Sequence, residues 1–225
     1  MLSTIKQHVA QLWKDNRKFV LILACIVGFK SAVADLNSIS GHSMQPNLLD
    51  GDKVWVNKVA YDISLPFVDM PLLSVDDPER GDIVIIDSVA AGKRLVKRVV
   101  GIPGDAVYMR NGMLVVNDEV AAYERVTPGP EDGTTIVSEQ LQKHDYQALI
   151  TAESGRRSVN SHGPMEVPPG HYFVLGDNRG NSADSRVYSF IGRDEIVGRS
   201  SSVIFSLDPD KHFLPRTGRF LHALE

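Results

Sequence analysis

A serine held between two conformationally special residues is the first candidate for chemistry in this sequence. Ser43 lies shortly after Gly41 and shortly before Pro46. Glycine has no Cβ, so its backbone can approach a ligand closely, whereas proline fixes its own φ and favours an extended conformation in the residue before it. A serine on such a segment can be presented at a fixed angle, as a nucleophile requires. Ser-x-x-Pro segments also occur in ordinary loops, so a catalytic role depends on a base.

Lys97 is the candidate base. The residues at 94–100 predict a strand in which Leu95, Lys97 and Val99 share one face. Apolar neighbours disfavour the charged ammonium and lower its pKa, so the neutral amine can act as a base near neutral pH. The alternative is a structural lysine at a strand edge or beside a carboxylate.

A polar segment at 176–186 follows a predicted strand at 171–175. Its glycines and short polar side chains are typical of a hydrogen-bonded turn. Two aspartates and two arginines lie close together in this segment, and we expect them to form ion pairs that hold the turn in register. An ordinary solvated polar loop is the alternative interpretation.

The remaining patterns indicate a mainly β fold. Further strands are predicted at 52–58, 83–86 and 197–205. Asn111-Gly112 between apolar runs predicts a hairpin. From 121 to 169 the pattern loosens into loops and short strands, so we expect a small inserted subdomain at 108–170. The tail from Asp208 shows no clear pattern.

The N-terminal residues predict a membrane anchor. Residues 1–18 carry four basic side chains against Asp15, a charge of +3, and an uncharged apolar run follows at 19–29. This asymmetry orients the N-terminus to the cytoplasm. We therefore expect a cytoplasmic basic segment at 1–18, one transmembrane helix at 19–36 and an extracytoplasmic domain at 37–225.

A cleavable signal peptide is the alternative for this N-terminus. The apolar run of 19–29 is short for a span, which needs about 17–25 residues, and Ala32-Val33-Ala34 resembles a small-x-small cleavage site. Lys30 lies between the two, where a charge is unfavourable for cleavage but can reach the interface from a retained helix. We favour the retained anchor and keep self-cleavage at Ala32-Val33-Ala34 as a hypothesis.

Charge and cysteine content exclude several classes of function. The net charge of −4 and the +3 at the N-terminus leave −7 on the rest of the chain, which disfavours a nucleic-acid partner. Cys25 is the only cysteine, so an intrachain disulfide or a cysteine metal site is excluded. No His-x-x-x-His pair is present, and we expect neither metal nor cofactor. The apolar, proline-containing segment at 65–73 suggests a contact with lipid or with the core.

Four stretches in this order resemble the motifs of bacterial type I signal peptidases, also called leader peptidases. They are Ser43-Met44-Gln45-Pro46, Arg80-Gly81-Asp82-Ile83-Val84, Lys97-Arg98-Val99-Val100-Gly101-Ile102-Pro103-Gly104-Asp105 and Gly176-Asp177-Asn178-Arg179-Gly180-Asn181-Ser182-Ala183-Asp184-Ser185-Arg186. The resemblance extends from about Ser40 to Leu207. It implies a signal-peptidase-like β-sheet catalytic domain with a small inserted subdomain behind one transmembrane helix.

The resemblance also implies roles for individual residues. Ser43 is the expected nucleophile, its backbone N–H an oxyanion donor, and Lys97 the general base of a Ser–Lys dyad. Ser182 is expected to hydrogen-bond the lysine. Two structural ion pairs are expected, Asp184 with Arg186 and Asp177 with Arg98.

Two positions depart from the family pattern. Gly41 stands where some members have a serine that completes the oxyanion hole, so a second donor has to be backbone or water. Asn47 stands where the family often has threonine, and we expect this to change local hydrogen bonds rather than chemistry.

The sequence thus predicts a membrane-bound serine endopeptidase that removes N-terminal signal peptides with small-x-small cleavage sites from exported preproteins. Membrane lipid is the other expected partner. One alternative keeps the dyad in a maturation peptidase for a pilus or conjugation protein. A Ser-His-Asp hydrolase with His42 or His171 and a membrane-tethered β-rich binding module are the remaining alternatives.

Overall fold

The computed structural model describes residues 2–64, 71–110, 113–151 and 164–224. Two helices, α1 (Leu2–Val33) and α2 (Ser185–Tyr188), accompany the strands. The strands are β1 (Ala34–Ser38), β2 (Asp52–Asn57), β3 (Asp62–Ser64), β4 (Pro71–Ser74), β5 (Ile83–Ser88), β6 (Lys93–Gly101), β7 (Ala106–Arg110), β8 (Met113–Val116), β9 (Glu119–Val120), β10 (Ala122–Pro128), β11 (Thr134–Leu141), β12 (His144–Thr151), β13 (Met165–Glu166), β14 (His171–Leu175), β15 (Ile191–Gly192), β16 (Ile196–Asp208), β17 (Leu214–Pro215) and β18 (His222–Ala223). The predicted mainly β class is confirmed.

The largest sheet carries the candidate residues. Its strands lie in the order β1-β2-β16-β5-β6-β14-β15, and the short β17 and β18 also pair with β16. The pairs along this order are antiparallel. The candidate base is therefore on β6, between β5 and β14, and the candidate serine follows β1 at one end of the sheet.

Strand alternation in β6 follows the predicted pattern. Leu95 and Val99 pack into one core cluster with Val84 and Ile86 of β5. Val100 belongs to a different cluster, formed with residues of β7, β8 and β14. The 83–86 strand is likewise confirmed as the buried part of β5.

The predicted insertion contains longer strands than the sequence suggested. β10, β11 and β12 form a three-stranded antiparallel sheet, and β11 and β12 are eight residues each. A second small sheet has the order β13-β7-β8-β9. Arg110 pairs with Met113, which confirms the hairpin, although Asn111 and Gly112 lie outside the described residues. The inserted subdomain at 108–170 stays a prediction.

The N-terminal helix ends earlier than expected. α1 ends at Val33, and β1 begins at Ala34 and pairs with β2, so the predicted limit at residue 36 is wrong. The pairing of Ala34 with Asn57 takes up the backbone groups that a longer helix would need. Among the described residues, no helix combines the length and the hydropathy needed to cross a membrane.

Part of the apolar segment at 65–73 forms a strand. Pro71 begins β4, which pairs with β3, and proline is tolerated at the first residue of a strand. Leu72 and Leu73 are exposed. Residues 65–70 lie outside the described residues.

We predict that Gly51→Ala destabilises the protein by roughly 2 kcal/mol or more, because its φ is +88° and an added Cβ would lie 1.9 Å from the Leu207 carbonyl oxygen. Gly104→Ala is the matched control, because Gly104 has the same φ of +88° and no heavy atom within 4 Å of an added Cβ. Urea unfolding of both variants measures the difference. Equal losses would show that the collision with Leu207 has no energetic consequence.

Candidate active site

Ser43 lies in the connection at 39–51 between β1 and β2, hereafter the nucleophile loop. Met44 and Leu48 are buried in a core cluster with residues of β2 and β5, which anchors the loop beside Ser43. The Leu48 N–H donates to the Met44 carbonyl at 2.9 Å and closes a turn directly after the serine. Ser43 is thus on a loop that its apolar neighbours hold against the sheet.

The Lys97 amine reaches the Ser43 hydroxyl. Lys97 Nζ lies 2.9 Å from Ser43 Oγ and 2.8 Å from the carbonyl oxygen of Val96, to which it donates. Lys97 is only 3% exposed although it carries a charged group in its ordinary state. The two residues singled out from the sequence therefore meet at hydrogen-bond distance.

Burial lowers the pKa of the Lys97 amine to about 8. The carboxylates of Asp184 and Asp177 act in the opposite direction, because a nearby negative charge favours the ammonium form. Removal from water is the larger effect. At pH 7 about a tenth of this amine is uncharged and can accept a proton, whereas an exposed lysine with a pKa of about 10.4 is almost entirely charged.

The polar segment at 176–186 positions the backbone of the serine. Asn178 contributes twice: its backbone N–H donates to the Ser43 carbonyl at 3.0 Å, and its Nδ2 donates to the His42 carbonyl at 3.1 Å. Gly176 lies so close that an added Cβ would be 2.4 Å from the Ser43 carbonyl oxygen. This position therefore requires glycine, and Asn178 is a positioning residue that sequence reasoning missed.

The Asp177–Arg98 ion pair is present and buried. Arg98 Nε lies 2.8 Å from Asp177 Oδ1 and Arg98 Nη2 lies 2.9 Å from Oδ2, with both side chains excluded from solvent. Asn47 Nδ2 also donates to Asp177 Oδ2, at 2.7 Å. Arg98 directly follows Lys97, so this network joins the strand of the base to the nucleophile loop. The expectation that the departure at Asn47 changes local hydrogen bonds rather than chemistry stays a prediction.

The Asp184–Arg186 pair is also present. Arg186 Nε and Nη2 each lie 2.8 Å from an Asp184 oxygen, and Asp184 also accepts a hydrogen bond from the Gly176 N–H at 2.9 Å. Burial alone would raise the pKa of Asp184, but Arg186 and the Gly176 N–H hold it below its usual value. A charged Asp184 caps the short helix α2 and fixes the end of the segment.

Ser182 does not make the hydrogen bond expected of it. Its Oγ is buried and makes no hydrogen bond to Lys97, whose amine contacts Ser43 and the Val96 carbonyl instead. The Ser182 hydroxyl packs over Gly176, where an added Cβ would lie 2.2 Å from it. The predicted contact is therefore wrong for this conformation.

A cleft of about 380 Å³ opens beside the two residues. Ile39, Leu95 and Val96 contribute apolar surface to its lining, together with Gly41. Gly41 has a φ of +90° and open space around an added Cβ, so it is required by its backbone conformation rather than by crowding. Its N–H donates to Asp50 Oδ1 at 3.3 Å.

Neither histidine of the Ser-His-Asp alternative contacts the serine. His42 Nδ1 lies 3.0 Å from Gln45 Nε2, and His171 Nδ1 lies 3.0 Å from the Pro169 carbonyl. The geometry gives no support to this alternative, because the hydrogen-bond partner of Ser43 Oγ is Lys97.

A third buried ion pair supports the polar segment from the inserted strands. Arg179 and Glu139 are both excluded from solvent, and Arg179 Nη2 lies 2.7 Å from Glu139 Oε1. Tyr123 and Tyr146 donate to the same carboxylate at 2.6 and 2.7 Å. Burial alone would raise the pKa of Glu139, but the charge and hydrogen bonds of Arg179 and the tyrosines hold it below its usual value. Sequence reasoning found no signal for this partner beyond an acidic residue in an apolar strand.

Comparisons with known proteins identify the family of this chain. A family model described as signal peptidase, peptidase S26, matches residues 13–205. The chain therefore belongs to the signal peptidase family and is a serine endopeptidase, a hydrolase of peptide bonds. The resemblance seen in the four motifs is thereby confirmed.

Several relatives are similar over most of the chain. The signal peptidase I of Pseudomonas aeruginosa is 34% identical over 219 residues, which cover 91% of this chain and 76% of that protein. The signal peptidase I of Bacillus amyloliquefaciens is 31% identical and covers 90% of both chains. A crystal structure of a signal peptidase I from Enterococcus faecalis V583 is 29% identical, covers 56% of this chain and 98% of its own, and has a TM-score of 0.38.

We predict that Glu139→Gln destabilises the protein by roughly 3–5 kcal/mol, because it leaves the Arg179 guanidinium buried without its counter-charge. The double variant Glu139→Leu with Arg179→Met removes both charges and is expected to recover much of this loss. Urea unfolding measures both effects. If the single variant is as stable as the unmodified protein, the pair does not hold the polar segment in place.

Proposed function

We propose that this protein removes N-terminal signal peptides from exported preproteins with a Ser43–Lys97 dyad. The observation that carries the proposal is the 2.9 Å contact between a buried amine and the serine hydroxyl. Family membership supplies the class of reaction. The relatives named above are signal peptidases I by name, and a signal peptide is accordingly the proposed substrate.

The first half of the reaction forms an acyl-enzyme. Ser43 Oγ attacks the scissile carbonyl carbon while the neutral Lys97 amine takes the hydroxyl proton and becomes an ammonium. The substrate oxygen becomes an oxyanion beside the Ser43 backbone N–H. This donor has no acceptor among the described residues, so it is available to the oxyanion. When the C–N bond breaks, the Lys97 ammonium gives its proton to the leaving amine.

The second half of the reaction releases the signal peptide. The neutral amine of Lys97 takes a proton from a water molecule, and the resulting hydroxide attacks the ester carbonyl. Breakage of the bond to Ser43 Oγ and return of the proton regenerate the serine. Lys97 therefore acts alternately as base and acid, which requires a pKa near the working pH.

Substrate selection follows from the cleft beside Ser43. Its lining includes the apolar residues Ile39, Leu95 and Val96, together with the basic side chains of Lys93 and Arg94. We propose that it accepts small side chains in the small-x-small pattern and excludes bulky ones.

The protein works at a membrane in this proposal. The N-terminal segment holds it to the inner membrane, with the N-terminus in the cytoplasm and residues 37–225 on the far side. The support is the basic segment followed by α1, whose apolar side chains at 19–23 are exposed. The β3–β4 hairpin contacts α1 and exposes Leu72 and Leu73, which makes it a second surface for lipid.

We predict that Ser43→Ala and Lys97→Met abolish cleavage of a generic preprotein without unfolding the domain. Lys97→Arg is the matched charged control and is also expected to be inactive, because a guanidinium does not lose its proton in proteins. Cleavage is measured on gels and folding by circular dichroism. Retained cleavage by folded Ser43→Ala would favour the binding-module alternative or another nucleophile.

We predict that kcat/KM rises with pH to a plateau, with a midpoint near the Lys97 pKa of about 8. Only the neutral amine can take the serine proton, so activity falls about tenfold for each pH unit below that value. Rates on a small-x-small peptide across pH 6 to 10, about two units either side, provide the measurement. A profile without this ascending limb would contradict the assignment of Lys97 as the base.

We predict that a peptide ending in Ala-x-Ala before the cleavage site is cut at least about tenfold faster than one with phenylalanine at the final position. The proposed reason is that the side chain before the cleavage site has to fit into the part of the cleft that Ile39, Leu95 and Val96 line. The ratio of kcat/KM for the two peptides measures this selectivity. Equal cleavage of both peptides would remove the specificity proposal.

We predict that the double variant Leu72→Ser with Leu73→Ser loses at least about half of any stimulation by lipid vesicles or detergent, because it removes apolar surface that would enter the lipid. Val126→Ser is the control, since Val126 is an exposed apolar residue on another sheet. Peptide cleavage with and without vesicles gives the comparison. Unchanged stimulation in the double variant would exclude this hairpin as a lipid contact.

A further inference from the structure

The C-terminal segment at 209–224 folds back onto β16. Its two short strands, β17 and β18, pair with residues of that strand. The family match ends at residue 205, so this segment lies outside the matched region. Sequence patterns predicted nothing for it, and yet its two arginines contact the nucleophile loop.

Arg219 contacts both the first residue of β2 and the backbone of the nucleophile loop. Its Nε lies 3.1 Å from Asp52 Oδ1 and its Nη2 lies 2.6 Å from Asp52 Oδ2. The same Nη2 donates to the Asn47 carbonyl at 2.8 Å. Asp52 is fully buried, and its Oδ2 also accepts from the Leu49 N–H at 2.8 Å. One guanidinium thus fixes the loop backbone and the first residue of β2 together.

Arg216 strengthens the same junction. Its Nη1 donates to the Asp50 carbonyl and to Ser206 Oγ, both at 2.8 Å. Its Nη2 lies 3.0 Å from Asp208 Oδ1. Arg216 therefore holds the loop against the end of β16.

Asn47 connects this junction to the dyad. Its carbonyl accepts from Arg219, while its Nδ2 donates to Asp177 Oδ2 at 2.7 Å. Asp177 in turn pairs with Arg98, the residue that follows Lys97 in β6. The loop just after Ser43 is therefore held from two sides, by the C-terminal segment and by the strand that carries the base.

We propose that Arg219 is a positioning residue that fixes the nucleophile loop so that Ser43 Oγ stays within reach of Lys97 Nζ. The proposal rests on the Ser43–Lys97 dyad of the proposed function. A planar guanidinium can contact both a carboxylate and a carbonyl in fixed directions, whereas the single ammonium of a lysine cannot reproduce that fork. Arg219 touches neither substrate nor the reacting atoms, and acts through Asn47 and Asp52.

The test is Arg219→Lys in the full chain. It keeps the charge near Asp52 but loses the fixed contact with the Asn47 carbonyl. We expect kcat on an Ala-x-Ala peptide to fall on the order of 10- to 100-fold, since a small displacement of a reacting group is costly. We expect KM to stay within about twofold, since the residues that line the cleft are unchanged. A fluorophosphonate probe counts reactive Ser43, so that kcat is expressed per active site.

Two further variants control for folding and for charge. Lys211→Gln removes a cation from the same C-terminal segment, but Lys211 is 75% exposed and its ion-pair partner is Asp208, outside the loop. It should leave kcat within about twofold. Arg219→Gln combined with Asp52→Asn removes the buried pair without leaving an unpaired charge. If Arg219→Lys does not fold, this double variant is tested in its place, and the same loss of kcat is expected.

Three results would overturn the proposal. The first is kcat within twofold of the unmodified protein in both Arg219 variants. The second is a loss that disappears when the rate is divided by the titrated sites, because only the folded fraction would then have changed. The third is an equal loss in Lys211→Gln. Cleavage by Ser43→Ala is measured in parallel. Activity in that variant would refute the Ser43–Lys97 dyad of the proposed function rather than the positioning role of Arg219.

Discussion

The structure depends on a lysine amine that is kept out of water and beside a serine. Lys97 Nζ contacts Ser43 Oγ at 2.9 Å, and burial lowers the pKa of the amine to about 8. A buried amine is tolerated because its lowered pKa makes the neutral form accessible, about a tenth of the molecules at pH 7, and because Ser43 and the Val96 carbonyl are its hydrogen-bond partners. In the proposed function the desolvation that costs stability also makes the amine a base, and so the surrounding residues have to exclude water and hold the serine in place.

The surrounding ion pairs meet this requirement while burial remains the larger effect on the amine. Asp177 and Asp184 favour an ammonium on Lys97, but each also forms its own buried pair with an arginine, Arg98 or Arg186, and the pKa of Lys97 stays lowered. The two carboxylates are thus paired with guanidinium groups, and their hydrogen bonds fix the polar segment and the nucleophile loop. The buried pairs serve position more than stability, since buried ion pairs seldom add much net free energy.

Local patterns predicted that Ser43 and Lys97 belong together, but they predicted the long-range contacts poorly. The pairing of Ser43 with Lys97 was predicted from a constrained serine, from alternation in β6 and from the family motifs. Each of these signals lies within a few consecutive residues. Glu139, the partner of Arg179, lies 40 residues away in a segment without a clear pattern, and Arg219 lies 167 residues from Asp52. Ser182 was misassigned because a motif specifies the residue type but not the direction of its hydroxyl. The end of α1 was placed too late because β1 competes for the same backbone groups.

The most direct test of the central claim is the pKa of the Lys97 amine itself. Lysine labelled with ¹³C at Cε can be followed by NMR as the pH is raised, and the spectrum of Lys97→Met identifies the signal. A titration midpoint near 8 is the predicted result. A midpoint at the ordinary lysine value of about 10.4 would contradict the account, because the amine would then be charged whenever the serine needs a base.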